Sequence, residues 1–303
     1  VAQTSEWLQS SPVPVFDAAF GTDGLQVRAD IAIPDGEGGV DIYEVKSGTK
    51  VKNRHVRDLG FQTLAIERSG VKVRQIWILH LNTKYSHRGG ANYPVHQLFK
   101  NVDVTARVRA QVDNMAKQLE LIERAIDDPT TQELPTGTWC TKPFRCEHLD
   151  SCRKAGPDHP LMDMPELTRE QESALHERGI EDLMSLAPED EGLTLLQRRA
   201  VRALQSDDLI VEPFIGPELE EVEHPLHFVD ATSLLQVLPT FEKSKPWQRI
   251  AFRWHDKIVH ENGDSEHLSF VADGKDDPRS EFVSSLVDAI QGPGTIIVYG
   301  LSL

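Results

Sequence analysis

The chain has 303 residues, of which 32 are Lys or Arg and 48 are Asp or Glu, for a net charge of −16. No apolar run reaches membrane-spanning length and no signal-peptide pattern opens the chain, so no membrane association and a cytoplasmic location are expected. The length allows two domains with cores of their own, and the acidic balance argues against indiscriminate coating of nucleic acid, because phosphate binding draws on Lys and Arg.

The chain opens on Val1 rather than Met, just before a short helix expected over residues 5–9. Two apolar runs follow, at 25–33 and 40–46. Each alternates enough to read as a strand, with Pro34-Asp-Gly-Glu-Gly-Gly39 as the turn between them. Paired as a hairpin, they bring Asp30 and Glu44 together at one end of a sheet. Lys46 then points to the same face as Glu44, since side chains alternate with a period of two. Two carboxylates suit a hard divalent cation such as Mg2+, which keeps several waters when bound. Such a metal lowers the pKa of a bound water and neutralises charge building on a phosphate. A lysine beside it orients the nucleophile or stabilises that charge. The plainer alternative is a surface hairpin with a Glu–Lys pair worth about 0–1 kcal/mol.

Residues 51–70 read as an amphipathic helix with Val56, Leu59, Leu64 and Ile66 on its apolar face and Gly70 closing it. Residues 73–81 read as a strand lying centrally in the sheet, with His80 a structural residue in it. The cations from Lys50 to Arg88 form either a solvated face or a local DNA-contacting one. A long helix is expected over 102–127, packed over the sheet.

Cys140, Cys146 and Cys152 are the only cysteines, in a C-x5-C-x5-C pattern. Three thiols cannot all pair, and an intracellular enzyme is not expected to keep disulfides. Their clustering in a loop-like region suggests a metal rather than inert burial; zinc and an iron–sulfur cluster both normally ask for four ligands. A proline-rich linker at 157–165 leads to two helices at 167–179 and 192–204. Strands are then expected at 226–230, 249–259, 266–271 and 295–299, with a helix at 277–291.

The ordered segments Phe16-Asp-Ala-Ala-Phe20, Val27-Arg-Ala-Asp30, Tyr43-Glu-Val-Lys-Ser47 and Phe61-Gln62 resemble the RecB-like branch of the PD-(D/E)xK nucleases. The similarity extends to a bacterial family of unknown function that joins such a nuclease to a DnaQ-like exonuclease fold. It extends also to the CRISPR-associated RecB-like exonucleases that carry an iron–sulfur cluster. The resemblance implies that Asp30 and Glu44 bind Mg2+ or Mn2+ with the Val45 carbonyl, and that Lys46 positions the attacking water. It implies a place near the active site for Gln62 and an accessory metal-binding role for Asp17. Thr63, Leu64 and Ala65 stand where the family often carries a tyrosine, which puts a DNA contact from that helix in doubt.

The three cysteines match the downstream set of the iron–sulfur nucleases. The resemblance therefore implies a four-iron four-sulfur cluster whose fourth thiolate lies upstream, in a region that relatives carry and this chain lacks; zinc, with His148, is the alternative. The sequence is accordingly expected to be part of something longer. The Gly179-Ile180 turn and its flanking helices resemble a helix-hairpin-helix element, although Glu181, Asp182 and Glu189 to Glu191 favour a spacer over DNA contact. The last segment resembles the opening of a DnaQ-like, ribonuclease-H-type fold, with Asp230-Ala231-Thr232 where such enzymes carry Asp-x-Glu.

The α/β architecture implied is a PD-(D/E)xK restriction-endonuclease-like core over 1–155, a helical linker over 156–223, and a partial, degenerate ribonuclease-H-like domain over 224–303. The function implied is metal-dependent DNA cleavage, with single-stranded ends as substrate. The competing expectation is a catalytically weak nucleic-acid-binding or scaffold protein in repair, CRISPR adaptation or phage defence, with a protein partner on its C-terminal domain.

Overall fold

The computed structural model describes residues 4, 6–8, 13–22, 24–128, 136–142, 144–154, 156–206 and 209–299. The helix expected over 5–9 falls partly outside them; Glu6, Trp7 and Leu8 are helical. The chain divides into two compact units, one formed by Val1–Arg124 with Val222–Leu303, the other by Ala125–Glu221. Both sheets are mixed, so the class is α/β.

The first sheet has five strands in the order β1 to β5: Val15–Thr22, Leu25–Pro34, Gly39–Lys46, Lys72–Leu81 and Phe99–Asp103. β2 and β3 form the expected antiparallel hairpin, with Ile31 opposite Tyr43 and Pro34 opposite Val40. β3 and β4 are parallel, with Lys46 opposite His80, and α1 (Asn53–Arg68) makes the crossover between them. β4 is thus an interior strand, and His80 is buried in it with Nδ1 against the Leu81 carbonyl oxygen at 2.9 Å. Gly70, at φ +91°, turns the chain out of α1 in a conformation that L side chains rarely adopt.

The core lies between this sheet and its helices. Ala18, Ala29, Ile42, Ile76 and Ile78 pack with Val56, Leu59 and Ile66 of α1. A helical turn, α2 (Val95–Leu98), leads into β5, whose last two residues fall in the stretch expected to be helical. That helix, α3 (Thr105–Asp127), starts three residues later than expected because Asp103 Oδ1 accepts the Thr105 amide at 2.8 Å. The same Thr105 contacts hold the Asp103 carboxyl below its usual range. α3 approaches α1 closely at Gly60, where a Cβ would stand 3.2 Å from Met115 Cγ and 3.4 Å from Gln111 Cβ. Gly60→Val is expected to destabilise the protein by about 1–3 kcal/mol through overpacking, as read by thermal melting.

The Ala125–Glu221 unit is helical. α4 (Leu149–Arg153), α5 (Arg169–Glu177), α6 (Leu195–Gln205) and α7 (Ile215–Glu220) alternate with short 3-10 turns. Leu161, Met164, Leu175, Leu183, Leu186 and Val201 form its core. α5 and α6 each begin in a capping box, Thr168 with Gln171 and Thr194 with Gln197, so both start two or three residues later than the apolar spacing suggested.

The second sheet has the order β8-β7-β6-β9, made of β6 (Leu226–Gln236), β7 (Gln248–Val259), β8 (Ser265–Val271) and β9 (Thr295–Val298). β6 does not stop at Asp230 as expected but runs six residues further. It stays paired with β7 across an irregularity at Thr232/Ser233. α8 (Arg279–Ala289) covers it through Phe282, edge-on to Phe270, while the Trp254 indole N–H donates to Ser285 Oγ at 2.9 Å. Among the described residues no helix is long and apolar enough to cross a membrane.

Candidate functional site

Alternation along β3 puts Glu44 and Lys46 on one face, and the hairpin turn brings Asp30 of β2 beside them. The β2–β3 register, with Ile31 opposite Tyr43, continues to place Asp30 across from Glu44. There the Asp30 side chain replaces the ladder: its Oδ2 accepts the Val45 amide at 2.7 Å. Val45 is therefore held in the site through its N–H group.

Glu44 is buried, and two donors converge on its carboxylate. The Lys46 ammonium donates to Oε1, and Gln62 Nε2 reaches Oε2 at 3.3 Å from α1. Lys46 also stands 3.5 Å from Asp58 Oδ2. Asp58 is not among the expected site residues; it lies four residues before Gln62, on the same face of α1, and that spacing is its only signal in the sequence. Gln62 Oε1 is buried with no hydrogen-bond partner among the described residues, an acceptor left open next to Glu44.

Burial works against both charges of the Glu44–Lys46 pair. It lifts the Glu44 carboxyl above its usual range, helped by the charge of Asp30 and opposed by Lys46 and Gln62. It would lower the Lys46 ammonium, but Glu44 and Asp58 outweigh it and hold Lys46 above its usual value, protonated at neutral pH. Nearby His55 is pushed down, first by burial and then by the charge of Lys46.

The folded protein binds the Glu44 proton more tightly than the unfolded chain does. The stability this group contributes is complete below its ordinary value of 4.5 and is lost as pH rises through its raised folded value. Gln62→Leu removes a bond that favours the charged carboxylate, so it is expected to raise the Glu44 carboxyl further. The acid limb of any reaction needing ionised Glu44 then moves to higher pH, read as the pH profile of the variant against wild type.

Asp17 sits in β1 between the pairs Phe16–Ile31 and Ala18–Ala29, across from Asp30, and adopts φ +50°. Its side chain is exposed. A left-handed non-glycine residue of this kind carries strain on the order of 1 kcal/mol. It borders the site without bonding to Glu44 or Lys46 among the described residues.

The cysteines lie apart from this cluster in sequence. Cys140 ends a 3-10 turn (Thr138–Cys140) and is half-buried, while Cys146 and Cys152 are exposed; all three are free thiols. The Cys146 amide donates to the Cys140 carbonyl at 2.7 Å, and the Cys152 amide to that of His148 at 3.1 Å. Among the described residues no three His, Cys, Asp or Glu side chains are gathered to hold a metal ion. Three ungathered thiols do not fit a four-iron cluster, which asks for four thiolates. In the second sheet Asp230 is exposed and pairs across with His255, and Thr232 with Arg253.

Residues 227–302, the stretch that carries β6 to β9 and α8, match a family model described as Domain of unknown function (DUF2779). Neither the curated proteins nor the solved structures contain a match to this chain.

Proposed function

We propose that the chain is a metal-dependent nuclease with a PD-(D/E)xK core of the RecB-like kind, cutting phosphodiesters of single-stranded DNA ends in the cytoplasm. In this reading the second sheet is a partial, degenerate ribonuclease-H-like module. One observation carries the proposal: Asp30 from β2, Glu44 and Lys46 from β3 and Gln62 from α1, of matched chemistry, converge at one end of β2 and β3.

The donor set fits a hard cation. Two carboxylates are few protein ligands, but Mg2+ and Mn2+ sites of this kind are completed by waters and substrate phosphate oxygens. Gln62 Oε1, unpartnered among the described residues, would offer an acceptor beside the ion's ligands. Asp30 and Glu44 would hold the ion. When bound, it activates a water and neutralises charge on the phosphate. Lys46 would donate to the attacking water or to a phosphate oxygen, and the Gln62 bond favours the charged form of Glu44 and orients it. The cysteines take no part in this chemistry; an iron–sulfur staple there rests on the family resemblance alone.

A scaffold role is the second reading. It is favoured by the direct Lys46–Glu44 bond, which neutralises the carboxylate without a metal, and by Thr232 in place of a carboxylate. Calorimetric titration of Mn2+ into wild type and Glu44→Ala separates the two. The nuclease reading expects saturable heat in wild type that is lost in Glu44→Ala. Equal heats, or none in either, support the scaffold.

A further inference from the structure

Immediately beyond the candidate site the two sheets share a cleft. β4 ends at Leu81, one residue after the pair of His80 with Lys46, and the chain then enters residues 82–97. That loop meets residues 237–247, the connection between β6 and β7 of the second sheet. The Lys243 amide donates to the His87 carbonyl at 2.7 Å, the His87 amide to that of Ser244 at 2.9 Å, and the Tyr93 hydroxyl to that of Pro239 at 2.9 Å. The Trp247 indole N–H reaches back to the carbonyl of Ser47, the residue after Lys46, and its ring packs on Leu81, Tyr85 and Leu98.

Between these loops lies a cavity of about 700 Å³, within the range of small-ligand clefts (about 300–1,000 Å³). Lys84, Arg88 and Lys243 line it against one carboxylate, Glu242, in a chain whose overall charge is −16. Among the described residues none of these three cations has an ion-pair partner, whereas Arg74, Arg178 and Arg279 are each bonded to an aspartate. His87, also in the lining, is buried. Its Nδ1 lies 3.3 Å from the Tyr85 hydroxyl, while its Nε2 is buried with no partner. Tyr85 and His87 thus form a buried polar pair in the cleft wall, with one ring nitrogen unpartnered among the described residues. Lys243 itself is held at φ +62°, a conformation unusual outside glycine that the surrounding bonds impose.

We infer that this cleft binds the phosphate backbone of a nucleic-acid strand and leads it toward Asp30, Glu44 and Lys46. The inference rests on the nuclease reading for its direction, not for the binding itself. Three cations without an ion-pair partner, gathered in one cleft, recognise phosphate oxygens without reading sequence. The second sheet then has a task that needs no catalytic carboxylate: through Lys243 it closes the phosphate cleft from one side.

The test is fluorescence anisotropy of a labelled oligothymidylate with the full chain in EDTA, over a range of salt. The double variant Lys84→Ala/Arg88→Ala is expected to bind about tenfold or more weakly. Its slope of log affinity against log salt should be shallower by about 1.4, since each neutralised phosphate on a single strand contributes about 0.7. The charge-keeping Lys84→Arg/Arg88→Lys variant should retain both. Absence of binding by wild type, or a double variant within twofold of wild type with the same slope, overturns the inference. Cleavage is read separately. If wild type cuts with Mn2+ through Lys46 while the double variant binds unchanged, the cleft fails and the nuclease stands. If wild type does not cut but binds through Lys84 and Arg88, the nuclease fails and the cleft stands.

Discussion

Asp30→Asn is expected to lower Mn2+-dependent cleavage on the order of 100-fold or more while costing only about 1 kcal/mol of stability. Asp30 has one observed task and one proposed task, which this substitution separates. Its Oδ2 accepts the Val45 amide at 2.7 Å, tying β2 to β3 beyond the last backbone pair. An asparagine keeps an oxygen acceptor for that amide, so the strand ends stay together, with only the charge assistance lost. The proposed task, holding a divalent cation with Glu44, would depend on the negative charge itself. Losing one of two protein carboxylates removes several kcal/mol of stabilisation of the charge that develops on the phosphate. At about 1.4 kcal/mol per factor of ten, that is two or more orders of magnitude in rate. Asp30→Ala should lose the strand clamp as well. Thermal melts and cleavage rates of the two variants side by side give the answer; an asparagine variant that cuts like wild type removes Asp30 from the metal site.

Glu172→Ala is expected to destabilise the Ala125–Glu221 unit by about 3 kcal/mol or more. Glu172 is a carboxylate exposed by only 1% of its surface. It accepts the Thr138 amide with both oxygens, at 3.0 and 3.1 Å, and the Thr138 hydroxyl at 2.7 Å. Removing it leaves two buried donors with nothing to bond, which costs more than the bonds contributed. Glu172→Gln retains one acceptor oxygen and should cost about 1 kcal/mol. Because Thr138 begins the turn that ends at Cys140, the alanine variant should also loosen the first cysteine. Thiol labelling of Cys140 should quicken in Glu172→Ala and stay near wild type in Glu172→Gln. Equal labelling in all three would show that the carboxylate does not anchor the turn.

What the sequence made legible was local. Alternation in β2 and β3 placed Glu44 and Lys46 on one face, and the hairpin turn made Asp30 their neighbour; the structure joins them as that periodicity required. The apolar face of α1 was equally plain, with Val56, Leu59, Leu64 and Ile66 all buried. Gln62 was another matter, since a single glutamine on a helix carries no signal of its own and only the family resemblance picked it out. β5 was missed because five residues, Phe-Lys-Asn-Val-Asp, are too few and too polar to show a period. The continuation of β6 past Asp230 escaped notice because strand pairing with β7, a tertiary fact, holds it extended. Glu172, Asp58 and His87 share the same cause. Each matters through a partner far away in the chain or on the next turn of a helix, and neither composition nor spacing announces such a partner. The cysteine spacing was visible, but whether three thiols gather is a matter of backbone path.

The most direct test is cleavage of end-labelled single- and double-stranded DNA with Mn2+ by wild type, Glu44→Ala and Lys46→Ala. Wild type should cut, with single-stranded ends preferred, and both variants should fall by about two orders of magnitude or more. Equal cutting by all three, or cutting that persists when the metal is withheld, would contradict a metal-dependent site at Asp30, Glu44 and Lys46.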